Sequence, residues 1–182
     1  ANAILRLTPS SGSADDLTII AGTNITLTPS GDNLTIDAAS SDISVRVTDA
    51  GTQSIANSSL TTIDFDTSYY DTDAMHTHDN ACEDHKLVAK TAGKYIITSQ
   101  QSFSSNSSGR RYLGVRQCGS TLLAVQEFNA NSANATRMQV TTQACLQACE
   151  YVCTVMFQTS GGTLTTAKCG EGEPLFAMMK VG

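Results

Sequence analysis

Three histidines fall within ten residues, His76, His78 and His85, and Asp79, Cys82, Glu83 and Asp84 stand among them. Imidazole, thiolate and carboxylate are ligands that zinc takes, and His-x-His in an extended segment puts both rings on one side. In a trimer, one such histidine per chain becomes three about an axis. The alternative is a solvated polar loop that collects these residue types. It is the reading adopted here, and no metal site is assigned. Asp64, Asp66, Asp71 and Asp73 form a second acidic group. Alternate aspartates suit calcium, but the Asp-x-Asp-x-Asp-Gly order with a terminal Glu is missing. They read as surface carboxylates flanking a strand.

Six cysteines stand at Cys82, Cys118, Cys145, Cys149, Cys153 and Cys169. An even number suits disulfides of undecided pairing, whereas free Cys packs as a small hydrophobe. There is no CxxC pair, and the spacing of Cys145, Cys149 and Cys153 is not that of a zinc ribbon. Both readings stay open. The nucleophile elbow Gly-x-Ser-x-Gly, the His-Glu-x-x-His pair and the phosphate-binding Gly-x-x-x-x-Gly-Lys are all missing. A polysaccharide depolymerase would need two carboxylates whose separation only a fold can set. With no Trp, a sugar-stacking platform would have to come from the five Tyr. The chain reads as non-enzymatic, with no catalytic or cofactor-binding residue assigned. Sequons at Asn24, Asn33, Asn57, Asn106 and Asn134 are what a chain with 44 Ser and Thr generates by composition.

The elements that would position these residues read as strands. Ile25 and Leu27 alternate with Thr, as do Leu34 and Ile36, around Pro29-Ser30-Gly31-Asp32-Asn33, a hairpin signature. Leu17-Thr18-Ile19-Ile20 precedes it, and small polar residues over 37–42 suggest a hinge. Beyond the hinge come some nine short β-branched or aromatic runs, among them Ile43/Val45/Val47, Tyr95-Ile96-Ile97, Tyr112-Leu113-Gly114-Val115 and Tyr151 to Phe157. Gly, Asn and Ser clusters separate them. The only hint of helix is a turn over 142–151. An antiparallel sandwich or jelly roll is the economical fold.

The 182 residues are 40% apolar, enough for one domain with an extension and too many for global disorder. No apolar run nears the roughly 20 residues that span a bilayer, so no membrane partner is expected. Net charge is −6, but it is sorted: 13 acidic against 2 basic residues in 1–84, and 4 against 9 in 85–182. Such a chain is not a general nucleic-acid binder. Its acidic and basic halves suit contacts between subunits or on a larger assembly.

From Ile43 onward, over about 140 residues, the landmarks resemble the jelly-roll head of the complement-q and tumour-necrosis-factor family. They are Leu60-Thr61-Thr62-Ile63-Asp64-Phe65-Asp66, Tyr70-Asp71, Ala92-Gly93-Lys94-Tyr95-Ile96 and the closing Phe176-Ala177-Met178-Met179-Lys180-Val181-Gly182. Arg111 to Ser120 resembles a strand and turn where relatives carry Asn-Gly, with Cys118 in place of Asn. Glu150-Tyr151-Val152 resembles a strand that follows Gly-Asp in the family, and Cys149 and Glu150 depart from that pair. The resemblance implies a strand opened by Gly93 with Tyr95 capping the core, and a homotrimer that buries aromatic and aliphatic faces. The segment before the hinge resembles short β repeats of bacteriophage fibre and decoration proteins.

The expectation is therefore an all-β protein with an N-terminal attachment segment, 1–42, and a trimeric antiparallel jelly-roll head, 43–182. Its expected place is the virion, as a head fibre or capsid decoration protein and a short, complete gene product. The segment would bind the major capsid protein or another virion component, and loops 67–84 and 103–109 would face a host surface glycan or protein. Two alternatives share the fold: a receptor-binding tail-fibre tip and a secreted complement-like recognition module. The second usually carries a collagen Gly-x-y stalk, and none is present in this sequence.

Overall fold

The computed structural model describes residues 2–7, 15–22, 25–31, 33–38, 42–49, 51–78, 83–130, 134–168 and 174–181. The chain divides into two compact units, Ala1–Ser41 and Asp42–Gly182.

The first unit holds two antiparallel pairs. Strand β1 (Asn2–Leu7) pairs with β2 (Asp15–Ile20), and β3 (Ile25–Ser30) with β4 (Asn33–Ala38). Leu27 sits opposite Ile36, as the Thr alternation requires, and Gly31 supplies the left-handed residue of the turn with φ 58°. β1 has no counterpart in the sequence reading, because Ala3-Ile4-Leu5 is apolar without alternating.

The second unit continues with β5 (Ser44–Thr48), β6 (Ser54–Ile55), β7 (Thr61–Thr62), β8 (Thr67–Asp71), β9 (Lys86–Val88) and β10 (Gly93–Phe103). It closes with β11 (Arg110–Gln117), β12 (Thr121–Asn129), β13 (Thr136–Leu146), β14 (Tyr151–Gln158), β15 (Leu164–Thr165) and β16 (Leu175–Val181). One five-stranded sheet runs β13-β10-β16-β5-β8; the other runs β12-β11-β14-β7 with β9 also on β14. Every strand pairing is antiparallel, and β6 and β15 form a short pair of their own. The all-β sandwich expected from the alternation is the fold observed.

Strand parity builds the core between the sheets. Val45, Val47, Tyr95, Ile97, Phe103, Phe176 and Met178 project from one sheet and Leu113, Val115, Val152 and Met156 from the other, all buried. Phe65 stacks on Phe176 with ring centroids 5.4 Å apart. Tyr95 is fully buried and its hydroxyl donates to the Thr91 carbonyl at 2.6 Å, the capping role the resemblance implied. Thr154 donates to Ser99 at 2.9 Å from sheet to sheet, so two buried hydroxyls satisfy each other.

The helical turn expected over 142–151 is not there. β13 runs on to Leu146, opposite Gly93, because Met138, Val140 and Leu146 share the buried parity of one strand. A tight turn follows, closed by Glu150 N donating to the Gln147 carbonyl at 3.1 Å. Cys149 takes φ 71° in it, a left-handed position that glycine fills without strain. Replacing Cys149→Gly should raise stability by about 0.5 kcal/mol, the relieved strain slightly exceeding the added freedom of the unfolded chain. A lower denaturation midpoint would contradict this. At the β11–β12 turn, Cys118 and Gly119 are both left-handed, φ 49° and 71°, and Ser120 N donates to Gln117 O at 3.2 Å. That is a type I′ hairpin turn with Cys in the place Asn favours.

Candidate functional site

The surface that stands out is the outer face of the five-stranded sheet. β16 is apolar at every position except Lys180. Phe176 and Met178 enter the core, which leaves Met179 and Val181 outside at 47% and 45% exposure. Met179 lies opposite Ile96 on β10, and Ala177 opposite Arg46 on β5. Next to Arg46, a register irregularity in the β5–β8 pairing turns Tyr69 out at 57% exposure, and the Arg46 guanidinium stacks 4.8 Å over its ring. Tyr70, opposite Arg46, is also exposed. A strand apolar on both faces is the pattern of a sheet covered on both sides. Half-exposed Met, Val and Tyr would each contribute on the order of 1 kcal/mol if something covered them. Individual residues of this face were not legible beforehand, although the unbroken run over 175–179 was the available signal.

The histidines are dispersed into structural roles. His76 is buried, its Nδ1 3.2 Å from Ser68 Oγ and its Nε2 3.1 Å from the Asp84 carbonyl, so both ring nitrogens are engaged. His85 Nδ1 lies 3.8 Å from Asp64, and His78 is exposed. Asp79 and Cys82 lie outside the described residues. Among the described residues, no three His, Cys, Asp or Glu side chains come together as a metal would need.

The aspartates also part company. Asp71 accepts backbone N–H bonds from Met75 at 2.9 Å and His76 at 2.8 Å, which folds residues 71–76 back on themselves. Asp66 takes the Thr67 hydroxyl, and the length of β8 separates it from Asp71. The described part of 67–84 is therefore not the open loop expected: β8 occupies its start, and Met75 and His76 are buried. Its short Thr-Ser-Tyr-Tyr run, followed by Asp-Thr-Asp, hid an edge strand.

Burial, with Lys86 adding to it, lowers the His85 pKa against the opposing pull of Asp64. The unfolded chain therefore binds the proton first, and stability falls as pH drops through about 6.5 and levels off below the depressed folded value. Asp64 is raised by burial, and its opposite-signed contribution lies lower, upward from 3.8. His85→Gln should flatten the decline of stability as pH falls through about 6.5. Urea titrations at each pH would show it, and an unchanged slope would count against it.

Cys118, Cys145, Cys149 and Cys153 are free thiols, and only Cys153 is buried. Burial raises the Cys153 pKa, which keeps it protonated and inert. Neither sequence reading thus holds for the exposed three, which are neither bonded nor packed inside. Cys82 and Cys169 lie outside the described residues.

No family profile matches the sequence, and no curated protein does. Solved structures do match. The globular domain of zebrafish complement 1qA superposes with TM-score 0.54 at 10% identity, covering 77% of this chain and 98% of that one. Murine APRIL at pH 8.0 gives TM-score 0.59 at 12% identity, covering 77% and 99%. Eiger TNF from S. frugiperda gives 0.56 at 10%, covering 78% and 93%. The head has the complement-q and tumour-necrosis-factor jelly-roll fold. At these identities the likeness concerns the fold alone. Among the described residues, no helix is long and apolar enough to cross a membrane.

Proposed function

We propose that this chain is a non-enzymatic recognition protein whose jelly-roll head works as a homotrimer. The observation that carries the reading is the uncovered apolar face of β16 and its neighbours, with Met179, Val181, Tyr69 and Tyr70 exposed on a single chain. Sister chains covering that face would complete the sheet's second buried side.

The first unit is read as the attachment segment. Two-stranded pairs are marginal alone, and Ile4, Ile20 and Ile36 on these pairs are between 62% and 72% exposed. Both facts suit a segment that is stabilised by what it docks on. From its resemblance to fibre repeats we read that surface as a virion, with the major capsid protein or another shell component as partner. Three weak anchors on one trimer act together through effective concentration. The head is then held outward to meet a host glycan or protein.

Gold-labelled antibody against the head should stud the shell of purified particles. Label confined to the tail favours the receptor-binding fibre tip. Unlabelled particles with free antigen in solution reject the virion address in favour of a secreted recognition module, a reading the likeness to complement 1qA favours.

A further inference from the structure

At the end of the second sheet where the 104–109 loop meets β11, the outward parity of three strands brings unlike groups together. Asn129 of β12 lies opposite Arg110 of β11, and in the next row Glu127 lies opposite Tyr112, with Phe157 of β14 on the other side. Beside them is an open hollow of about 450 Å³ lined by Ser107, Gly109, Arg110, Asn129, Ala130 and Thr159. Tyr112 and Phe157 meet edge to face at 6.4 Å. A Cβ on Gly114 would come within 2.9 Å of Tyr112 Cε1 and 3.1 Å of its hydroxyl, so the ring lies across the sheet over that glycine.

The polar groups keep bonding capacity. Arg110 gives Nη1 to Glu127 at 2.9 Å and stacks 5.7 Å over the Phe157 ring, and among the described residues no other side chain takes its remaining guanidinium N–H groups. Thr159 Oγ1 accepts from Arg110 N at 3.0 Å and retains its own proton. Beneath the loop, Arg111 is fully buried, and its guanidinium bonds are to Asn106 O and Oδ1, Ser108 O and Arg110 O. No carboxylate neutralises it among the described residues. Within the segments that build the hollow, 104–111, 126–130 and 157–162, Glu127 is the one acid against Arg110 and Arg111. A buried charge is weakly screened, so the hollow favours an anion.

We propose that this hollow and the adjoining Tyr112–Phe157 platform form a binding site for an acidic pyranose, such as a uronic acid unit of a surface polysaccharide. The aromatic ring takes the apolar face of the sugar, Asn129, Ser107 and Thr159 take its hydroxyls, and Arg110 takes its carboxylate. This deepens the recognition reading and rests on it.

The test is amide-resonance mapping (TROSY) on the deuterated full chain, with methyl β-D-glucuronide and methyl β-D-glucoside each at about 20 mM, enough to load a millimolar site. Glucuronide is expected to shift Gly109, Arg110, Ala130 and Thr159, with the glucoside at least about fivefold weaker. Arg110→Ala and Asn129→Ala should each weaken glucuronide about tenfold while leaving the unfolding midpoint in place. No shift at these amides, or the same response in both variants, overturns the site. Equal response to the two sugars overturns the acidic assignment. Either failure leaves the trimeric head standing, since that is decided by the mass of the assembly.

Discussion

Gly109→Ala is expected to destabilise the head by about 3 kcal/mol or more. Gly109 has φ 74°, and an added Cβ would sit 1.9 Å from the Thr159 carbonyl oxygen and 2.4 Å from its carbon. Both atoms are backbone, so no rotamer change relieves the clash. The loop would have to withdraw from the end of β14. That breaks Arg110 N to Thr159 Oγ1 at 3.0 Å, Thr159 N to Arg110 O at 3.2 Å and Ala130 N to Gly109 O at 2.9 Å. Each is worth about 1 kcal/mol, and left-handed alanine adds about as much again. Gly161 is the internal control: it has φ 91° but open space around the missing Cβ. Gly161→Ala should cost only the conformational part, about 1 kcal/mol. Equal denaturation midpoints for the two variants would contradict the packing argument.

Met179→Asp is expected to dissociate the proposed trimer while leaving the fold of each chain intact. In the monomer the side chain is about half in water, so losing its buried half should cost folding only about 1–2 kcal/mol, short of unfolding the chain. In the assembly it would bury an unpaired carboxylate on each chain, at a cost of about 3 kcal/mol or more. Concentration-dependent sedimentation should show the dissociation constant rising at least about 100-fold. Met179→Leu keeps the apolar contact and should assemble like the parent chain. A folded Asp variant that sediments unchanged would mean this face is not the one that is covered.

Strand parity explains both what the sequence disclosed and what it hid. Alternation with Thr made the β3–β4 pair readable, whereas the Tyr95 strand and the closing β16 were readable as apolar β-branched, aromatic or Met-rich runs. The same rule places Arg111 in line with Leu113 and Val115 on the core face, yet an arginine there breaks the usual burial preference and only the fold displays it. Parity failed for β8, an edge strand with no buried residue to set a period, and for β15, whose two residues are too short to show one. It also could not gather the hollow beside Arg110: Ser107, Asn129 and Thr159 come from three segments that only the sheet order brings together. Likewise, nothing in the His76–His85 spacing disclosed that Ser68 and the Asp84 carbonyl would occupy the His76 ring.

Native mass spectrometry of the full chain at micromolar concentration tests the account most directly. Three copies of the 19.2 kDa chain predict a species of about 58 kDa. A persistent 19.2 kDa species, its β16 face wet at every concentration, would contradict it.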